Sequence, residues 1–436
     1  MGDLPERQRA IVLHPHRKSA HGARRNIESC LEEAVGLTHA IDLNVLHADS
    51  IALKRLRPAT LFGEGTVDHY KPLIEEDHIA IVVIDYAVTP IQQRNLENAW
   101  SCKIVDRTGL ILEIFGARAK TREGRLQVEL AHLSYQRSRL VRSWTHLERQ
   151  RGGFGFLGGP GETQIEADRR QIDDRITRIK RELTRVARTR GLHRQARKRV
   201  PYPIVALVGY TNAGKSTLFN RLTGAGVMAA DQLFATLDPT MRDVVLPSGR
   251  KIIISDTVGF VSELPTSLIA AFRATLEEVL EADLILHVRD ISHPDSESQK
   301  DDVLEVLEEL GVDSVRTQKM LEARNKIDLL DVEDKDIEIE RNKRYANEVV
   351  LSAATGDGCN DLLSLIDKLL NSDRSVIEIS IPYSEGEAIA WLYDRGEVIE
   401  RRDEESNAYL KVGLDSVDIS RFEHRFASGS ILISQC

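Results

Sequence analysis

The segment Gly209-Tyr210-Thr211-Asn212-Ala213-Gly214-Lys215-Ser216 fits the pattern G-x(4)-G-K-[ST], and its flanks leave few folds open. An apolar run, Ile204-Val205-Ala206-Leu207-Val208, precedes it, and the helix-like Thr217-Leu218-Phe219-Asn220-Arg221-Leu222 follows. Strand, glycine loop and helix in that order form the setting in which such a loop cradles phosphate. Its backbone N–H groups and the positive end of the helix favour an anion. Lys215 is expected to reach the β- and γ-phosphate oxygens, and the Ser216 hydroxyl to ligate Mg²⁺.

Four further segments follow along the chain. Lys251-Ile252-Ile253-Ile254-Ser255 reads as a strand ending in Asp256-Thr257-Val258-Gly259, a D-x-x-G. Asp256 is expected to hold Mg²⁺ through a water, and the Gly259 N–H to meet the γ-phosphate. Between the two lies Phe234-Ala235-Thr236-Leu237-Asp238, a candidate switch with Thr236 as second hydroxyl ligand to Mg²⁺. Asn325-Lys326-Ile327-Asp328 is an N-K-x-D. The Asp328 carboxylate only accepts, so it matches the N1–H and N2–H₂ donors of guanine and leaves adenine unpaired. Ser352-Ala353-Ala354 is the loop whose backbone would touch guanine O6. Together these motifs imply a guanine-nucleotide-binding domain.

With 436 residues the chain has room for two to four domains. No run of eighteen apolar residues occurs, so no spanning helix is expected. The first seven residues show no apolar signal core. Cys30, Cys102, Cys359 and Cys436 are far apart with no C-x-x-C pair, which suits a reducing, cytoplasmic setting. Net charge is −9, yet between Arg175 and Arg199 eleven basic residues face the single acid Glu182. From Asp373 onward thirteen acids face seven bases. A dense basic element in an acidic protein points to a polyanionic partner gripped at one place.

The expected class is α/β: a P-loop nucleotide domain preceded by a small α/β domain with an antiparallel helical arm, and followed by a small α+β domain. Residues 1–112 alternate strand and helix patterns. Residues 113–200 are helical and highly charged. In residues 162–199, Ile165, Ile172, Ile176, Ile179, Leu183 and Val186 recur with the spacing of a coiled-coil seam. This helix should pair antiparallel with residues 121–151 across the glycine-rich Gly152–Gly161 stretch. Residues 201–372 form the nucleotide domain, with strands expected at 204–208, 240–246, 251–255, 284–288, 319–323 and 349–351. Residues 373–436 form the appendage.

The joint between arm and nucleotide domain, Gly159-Pro160-Gly161-Glu162-Thr163-Gln164-Ile165-Glu166-Ala167-Asp168-Arg169-Arg170, resembles the hallmark of the HflX family of translation-type GTPases. So do Asp106-Arg107-Thr108, Arg118-Ala119-Lys120-Thr121-Arg122-Glu123-Gly124, Leu126-Gln127-Val128-Glu129-Leu130 and Phe234 through Thr240. The resemblance implies a cytosolic, GTP-hydrolysing protein that binds the large (50S) ribosomal subunit, and splitting or rescue of stalled ribosomes under stress. The arm would meet rRNA through Arg175, Arg178, Arg185, Arg188 and Arg194, and the tip through Gly153, Gly155 and Gly158, where glycine lets backbone approach crowded RNA. Asn212 resembles the asparagine with which a class of GTPases holds K⁺. A monomer is expected. The rival reading is a GTP-dependent switch that recruits protein partners without RNA; the acidic total charge leans that way, the basic arm the other.

One position bears on rate. Where many regulatory GTPases place a glutamine after D-x-x-G, this chain has Phe260, which neither donates nor accepts a hydrogen bond. Hydrolysis by the free protein is therefore expected to be slow.

Overall fold

The computed structural model describes residues 7–17, 25–150, 160–197, 202–225, 234, 240–262, 278–371, 374–404, 406–426 and 432–435. Ala235, Thr236, Leu237 and Asp238 of the candidate switch and Gly153, Gly155 and Gly158 of the tip lie outside them. Arg194 lies on a described helix, with its side chain outside the description.

Three sheets organise these residues. The first contains β1 (Arg9–Arg17), β2 (Asn44–Leu53), β3 (Ile81–Ile84) and β4 (Lys103–Asp106), all parallel in the order β2-β1-β3-β4. Ile81 through Ile84 are all buried, as a parallel strand covered on both faces requires. The intervening helices are α1 (Ile27–His39), α2 (Glu64–Glu76) and α3 (Pro90–Trp100). Thr89 and Gln92 close a capping box ahead of α3, with Pro90 in its first turn. The expected boundary at residue 112 falls inside a helix, α4 (Arg107–Arg118), because Leu110, Ile111, Leu112, Ile114 and Phe115 bury themselves in the core. Helix propensity and burial thus carry the first unit past the point where charge density rises.

The arm follows as α5 (Arg122–Gln150) and α6 (Pro160–Arg197). Arg137 meets Asp173, Arg175 meets Glu129 and Arg122 meets Glu182, a descending register that only antiparallel helices give. Ile176 and Ile179 are buried, while Leu133, Leu140 and Ile172 line a groove between the two helices.

The second sheet has β5 (Ile204–Val208), β6 (Thr240–Val245), β7 (Lys251–Asp256), β8 (Leu284–Asp290), β9 (Leu321–Asn325) and β10 (Glu348–Val350) in the order β10-β9-β8-β5-β7-β6. Only β6 runs antiparallel to its neighbour. Strand β9 begins two residues later than the periodicity suggests and ends on Asn325 itself. Helices α7 (Lys215–Thr223), α8 (Ser296–Glu309), α9 (Ser314–Gln318), α10 (Val332–Asn342) and α11 (Cys359–Asn371) accompany it. The third sheet is antiparallel, ordered β12-β13-β11-β14, from β11 (Arg374–Pro382), β12 (Glu397–Asp403), β13 (Asn407–Asp415) and β14 (Leu432–Gln435). With α12 (Gly386–Arg395) and α13 (Ser416–Phe426) it makes a split βαβ arrangement, whose helices cover Ile377, Ile379, Ile381, Leu410 and Val412.

One apolar cluster is continuous between the first unit and the nucleotide domain. It joins Leu110, Ile111 and Phe115 to Tyr210, Phe234, Phe260 and Val261. The candidate nucleotide loops lie at the carboxyl ends of β5, β7 and β9, where open α/β sheets bind ligands.

Candidate nucleotide site

Strand β5 delivers the chain into the loop at Gly209, whose φ of +149° would drive a Cβ to 2.2 Å from the Val288 carbonyl oxygen. No larger residue fits there without moving β8. Asn212 is exposed and takes a left-handed φ of 60°, a conformation asparagine tolerates better than most side chains. The loop closes onto α7 at Gly214, where a Cβ would strike the Asn325 amide nitrogen. Lys215 is buried, and its Nζ donates to the carbonyls of Gly209 (3.0 Å) and Tyr210 (2.7 Å). Burial lowers its pKa to about 8, with Asp256 pulling the other way. A lysine so held has exchanged water for loop carbonyls, which a phosphate would readily replace.

Asp256 ends β7, and the Ser216 hydroxyl donates to its Oδ2 at 2.7 Å. Two hard oxygens in contact are the donor type that Mg²⁺ takes. Thr257 ties back to the Leu207 carbonyl at 2.6 Å. Gly259 packs so closely that a Cβ would sit 2.9 Å from Thr211 Cα and 3.0 Å from Lys215 Nζ, so only glycine brings this backbone to the loop. Phe260 is zipped to the same loop, its N–H donating to Gly209 O (3.1 Å) and its carbonyl accepting from Thr211 N–H (2.7 Å). Its ring is buried in the apolar cluster.

The base end is built differently. Asn325 donates from Nδ2 to the Ala213 carbonyl and accepts at Oδ1 from the Ala353 N–H, both at 2.8 Å. One side chain thereby joins phosphate loop, β9 and the 352–354 loop. Lys326 adopts a left-handed φ of 69° and pairs with Asp290 at 2.7 Å. Asp328 Oδ1 is buried and meets no donor among the described residues. A buried, unsatisfied carboxylate oxygen costs about 1–3 kcal/mol unless a ligand supplies donors, and a guanine edge supplies two.

A third set of residues is brought together by packing, with no motif in the sequence to join its members. The Tyr210 hydroxyl donates to Glu33 Oε2 (2.5 Å) and accepts from the Ser262 N–H (2.8 Å). Glu33 also accepts from Arg107 (2.5 Å) and Arg25 (2.8 Å). Arg107 reaches on to Asp85 (2.5 Å) and to the Ser262 carbonyl (2.9 Å). Burial opposes ionisation of Glu33, but Arg107 and Arg25 outweigh it and hold the carboxyl below its usual range. Burial likewise raises the Tyr210 phenol, reinforced by Glu33. Phe234, at the start of the candidate switch, stacks edge-on against Phe115 of α4, with centroids 4.7 Å apart. The first unit therefore grips the phosphate loop, the start of the switch and the residues after D-x-x-G.

On the arm, Lys180, Arg181, Arg185 and Arg188 are exposed along α6. Arg175 is also exposed but is engaged by Glu129 at 2.7 Å, and Arg178 lies 3.4 Å from Glu182.

Comparison with known proteins gives a consistent result along most of the chain. Residues 28–116 match the family described as GTP-binding GTPase N-terminal, and 118–197 the GTP-binding GTPase Middle Region. Residues 204–326 match the 50S ribosome-binding GTPase family, and 338–432 the HflX C-terminal domain. GTPase HflX of Magnetococcus marinus is 52% identical over 415 residues, covering 95% of this chain and 94% of that protein. GTPase HflX of Escherichia coli is 42% identical over 394 residues, covering 90% and 91%. Among solved structures, a GTP-binding protein from Sulfolobus solfataricus in complex with GDP aligns at 22% identity and a TM-score of 0.45, covering 84% of this chain and 99% of that one. The chain belongs to the HflX family of GTP-hydrolysing enzymes.

Proposed function

We propose that this GTPase acts on the large ribosomal subunit, reading its nucleotide state through the loops described above and gripping rRNA with the α5–α6 arm. The observation that carries the reading is the exposed basic run Lys180, Arg181, Arg185 and Arg188, borne on the helix that precedes the nucleotide domain in the chain. A helix surface of that sign neutralises phosphates and releases their counterions on binding. The ribosome-binding description of the family that matches residues 204–326 supports the same partner. Splitting or rescue of stalled ribosomes in the cytosol follows as the cellular role. The four-part division at residues 112, 200 and 372 remains our working description of the chain, with the first boundary moved to the end of α4.

In the nucleotide site, Gly209 through Thr217 would enclose the phosphates, Asn325 through Asp328 and Ser352 through Ala354 the base. Ser216 and Thr236 would ligate Mg²⁺, and Asp256 would hold one of its waters. An ion held by these residues would supply positive charge beside the phosphates. Gly259 would offer its N–H to the γ-phosphate. Phe260 supplies no hydrogen bond to an attacking water, and its ring is turned into the core. Turnover by the free protein should therefore be slow, with large subunits stimulating it by ordering Thr236 and the segment after Gly259. Asn212, exposed at the loop's crest, is proposed to hold K⁺ against the phosphates; K⁺ should then outperform Na⁺ in hydrolysis, and Asn212→Ala should erase the difference.

Co-sedimentation with large subunits, using a non-hydrolysable GTP analogue at two salt concentrations, tests the partner. Charge reversal at Arg185 and Arg188 should weaken binding and flatten its dependence on salt, because the slope follows the number of phosphates neutralised. GTP affinity of the free protein should not change. Binding and slope that survive the reversal mean that the basic face is only solvated.

A further inference from the structure

Around Ser352 almost every backbone donor is already spent. The Ser352 N–H donates to Asp357 O (2.9 Å), Ala353 N–H to Asn325 Oδ1 (2.8 Å) and Thr355 N–H to Ser352 Oγ (3.1 Å). The Gly356 N–H donates to Ser352 O (2.8 Å), and the Asp357 N–H to Thr355 Oγ1 (3.3 Å). Among the described residues, only the Ala354 N–H of this turn meets no acceptor.

The two carbonyls that flank that N–H are both occupied, and by one side chain. Arg221, on α7, donates from Nε to Ala353 O at 3.2 Å and from Nη2 to Ala354 O. The planar guanidinium suits this, since its N–H groups form a rigid fork. A trans peptide is planar, with its C=O and N–H opposed. Holding the Ala353 oxygen against Arg221 therefore turns the Ala354 N–H away from Arg221. Asn325 fixes the loop from the other side through the Ala353 N–H.

We propose that Arg221 is a positioning residue for base recognition: it holds the carbonyls of Ala353 and Ala354 so that the Ala354 N–H is presented to guanine O6. The inference rests on the reading of residues 352–354 as the base loop given above. It links α7, which begins at Lys215, to the proposed base contact through a side chain whose donors are spent on the loop carbonyls. Arg221 is itself exposed, so water competes for the clamp and its removal loosens the loop rather than unfolding it.

The test uses full-length protein and competition binding of GTP, 6-thio-GTP and ITP. Sulfur at position 6 is larger and accepts hydrogen bonds poorly, while N1–H and the 2-amino group stay; ITP keeps O6 and lacks only the 2-amino group. The parent should prefer GTP over 6-thio-GTP. In Arg221→Gln that preference should shrink by roughly three- to tenfold, with the GTP-over-ITP preference unchanged because Asp328 reads the amino group. Arg221→Lys, with one charged donor in place of the fork, should fall between, and carries the test alone should the glutamine variant not fold. An unchanged GTP-to-6-thio-GTP ratio overturns the role of Arg221, as does equal collapse of both preferences. A parent that does not distinguish GTP from 6-thio-GTP overturns the reading of the base loop itself, and the role of Arg221 with it.

Discussion

The base end and the phosphate end of the candidate site are held by different parts of the chain. At the base end, Asn325, Asp328, Arg221 and the 352–354 loop are all residues of the nucleotide domain, and their partners are too. At the phosphate end, Tyr210 and Ser262 lean on Glu33 and Arg107, and Phe234 on Phe115, all residues of the first unit. The first arrangement, as the proposed site for guanine, takes its support from the nucleotide domain alone. The second ties the loops proposed to meet the γ-phosphate to the first unit. Guanine choice and phosphate-end geometry are therefore separable by mutation.

Lys215→Ala attacks what both ends depend on. It removes a buried ammonium now spent on two loop carbonyls and available to phosphate, and should weaken GTP and GDP binding by roughly 100-fold or more in equilibrium titration. Glu33→Gln breaks only the phosphate-end seam. It leaves the guanidinium groups of Arg25 and Arg107 less well compensated in a buried place, and should cost about 2–4 kcal/mol in denaturant unfolding while the GTP-over-XTP preference stays as in the parent. A shift in base preference would break the separation drawn here.

Acid sharpens the same comparison. Glu33 and Asp85 both have their carboxyls held below the ordinary range in the fold: burial pushes each up, and Arg107 with its neighbours pushes harder the other way. Their stabilisation is complete above the unfolded carboxylate pKa and is lost as pH falls through the lower folded values. The stability advantage of the parent over Glu33→Gln should be full at neutral pH and shrink below about pH 4. A constant advantage across that range would mean that Glu33 acts by shape alone.

The two ends also differ in how legible they were. At the base end Asn325, Asp328 and the 352–354 loop are each carried by a short motif, whereas the Arg221 contact to Ala353, 132 residues away, follows from packing alone. The phosphate-end seam joins Glu33 to Tyr210, 177 residues away, and Arg107 to Ser262, 155 away. Each is an ordinary charge or hydroxyl on a helix or loop, and only packing brings them together. Strand β2 is poorly legible in the sequence for a related reason: Asn44–Leu53 lies at a sheet edge with mostly exposed or half-buried residues, so no period of two develops. Ile377, Ile379 and Ile381 of β11, by contrast, alternate and are all buried, a period of two that the sequence displays openly. The boundary at 112 was misplaced because α4 is apolar while the arm after it is charged, and composition changes only once the core has been left behind.

The most direct test of the account is the nucleotide preference of Asp328→Asn in the otherwise intact chain. Asp328 Oδ1 is a buried acceptor awaiting donors, and asparagine replaces part of that acceptor with an amide donor. Xanthine carries a carbonyl where guanine has its amino group, so binding should move from GTP to XTP, by roughly 100-fold in the ratio of affinities. Thermal stability should stay near that of the parent. An unchanged GTP-over-XTP ratio would contradict the assignment of the base end, and with it the division of the site on which the account rests.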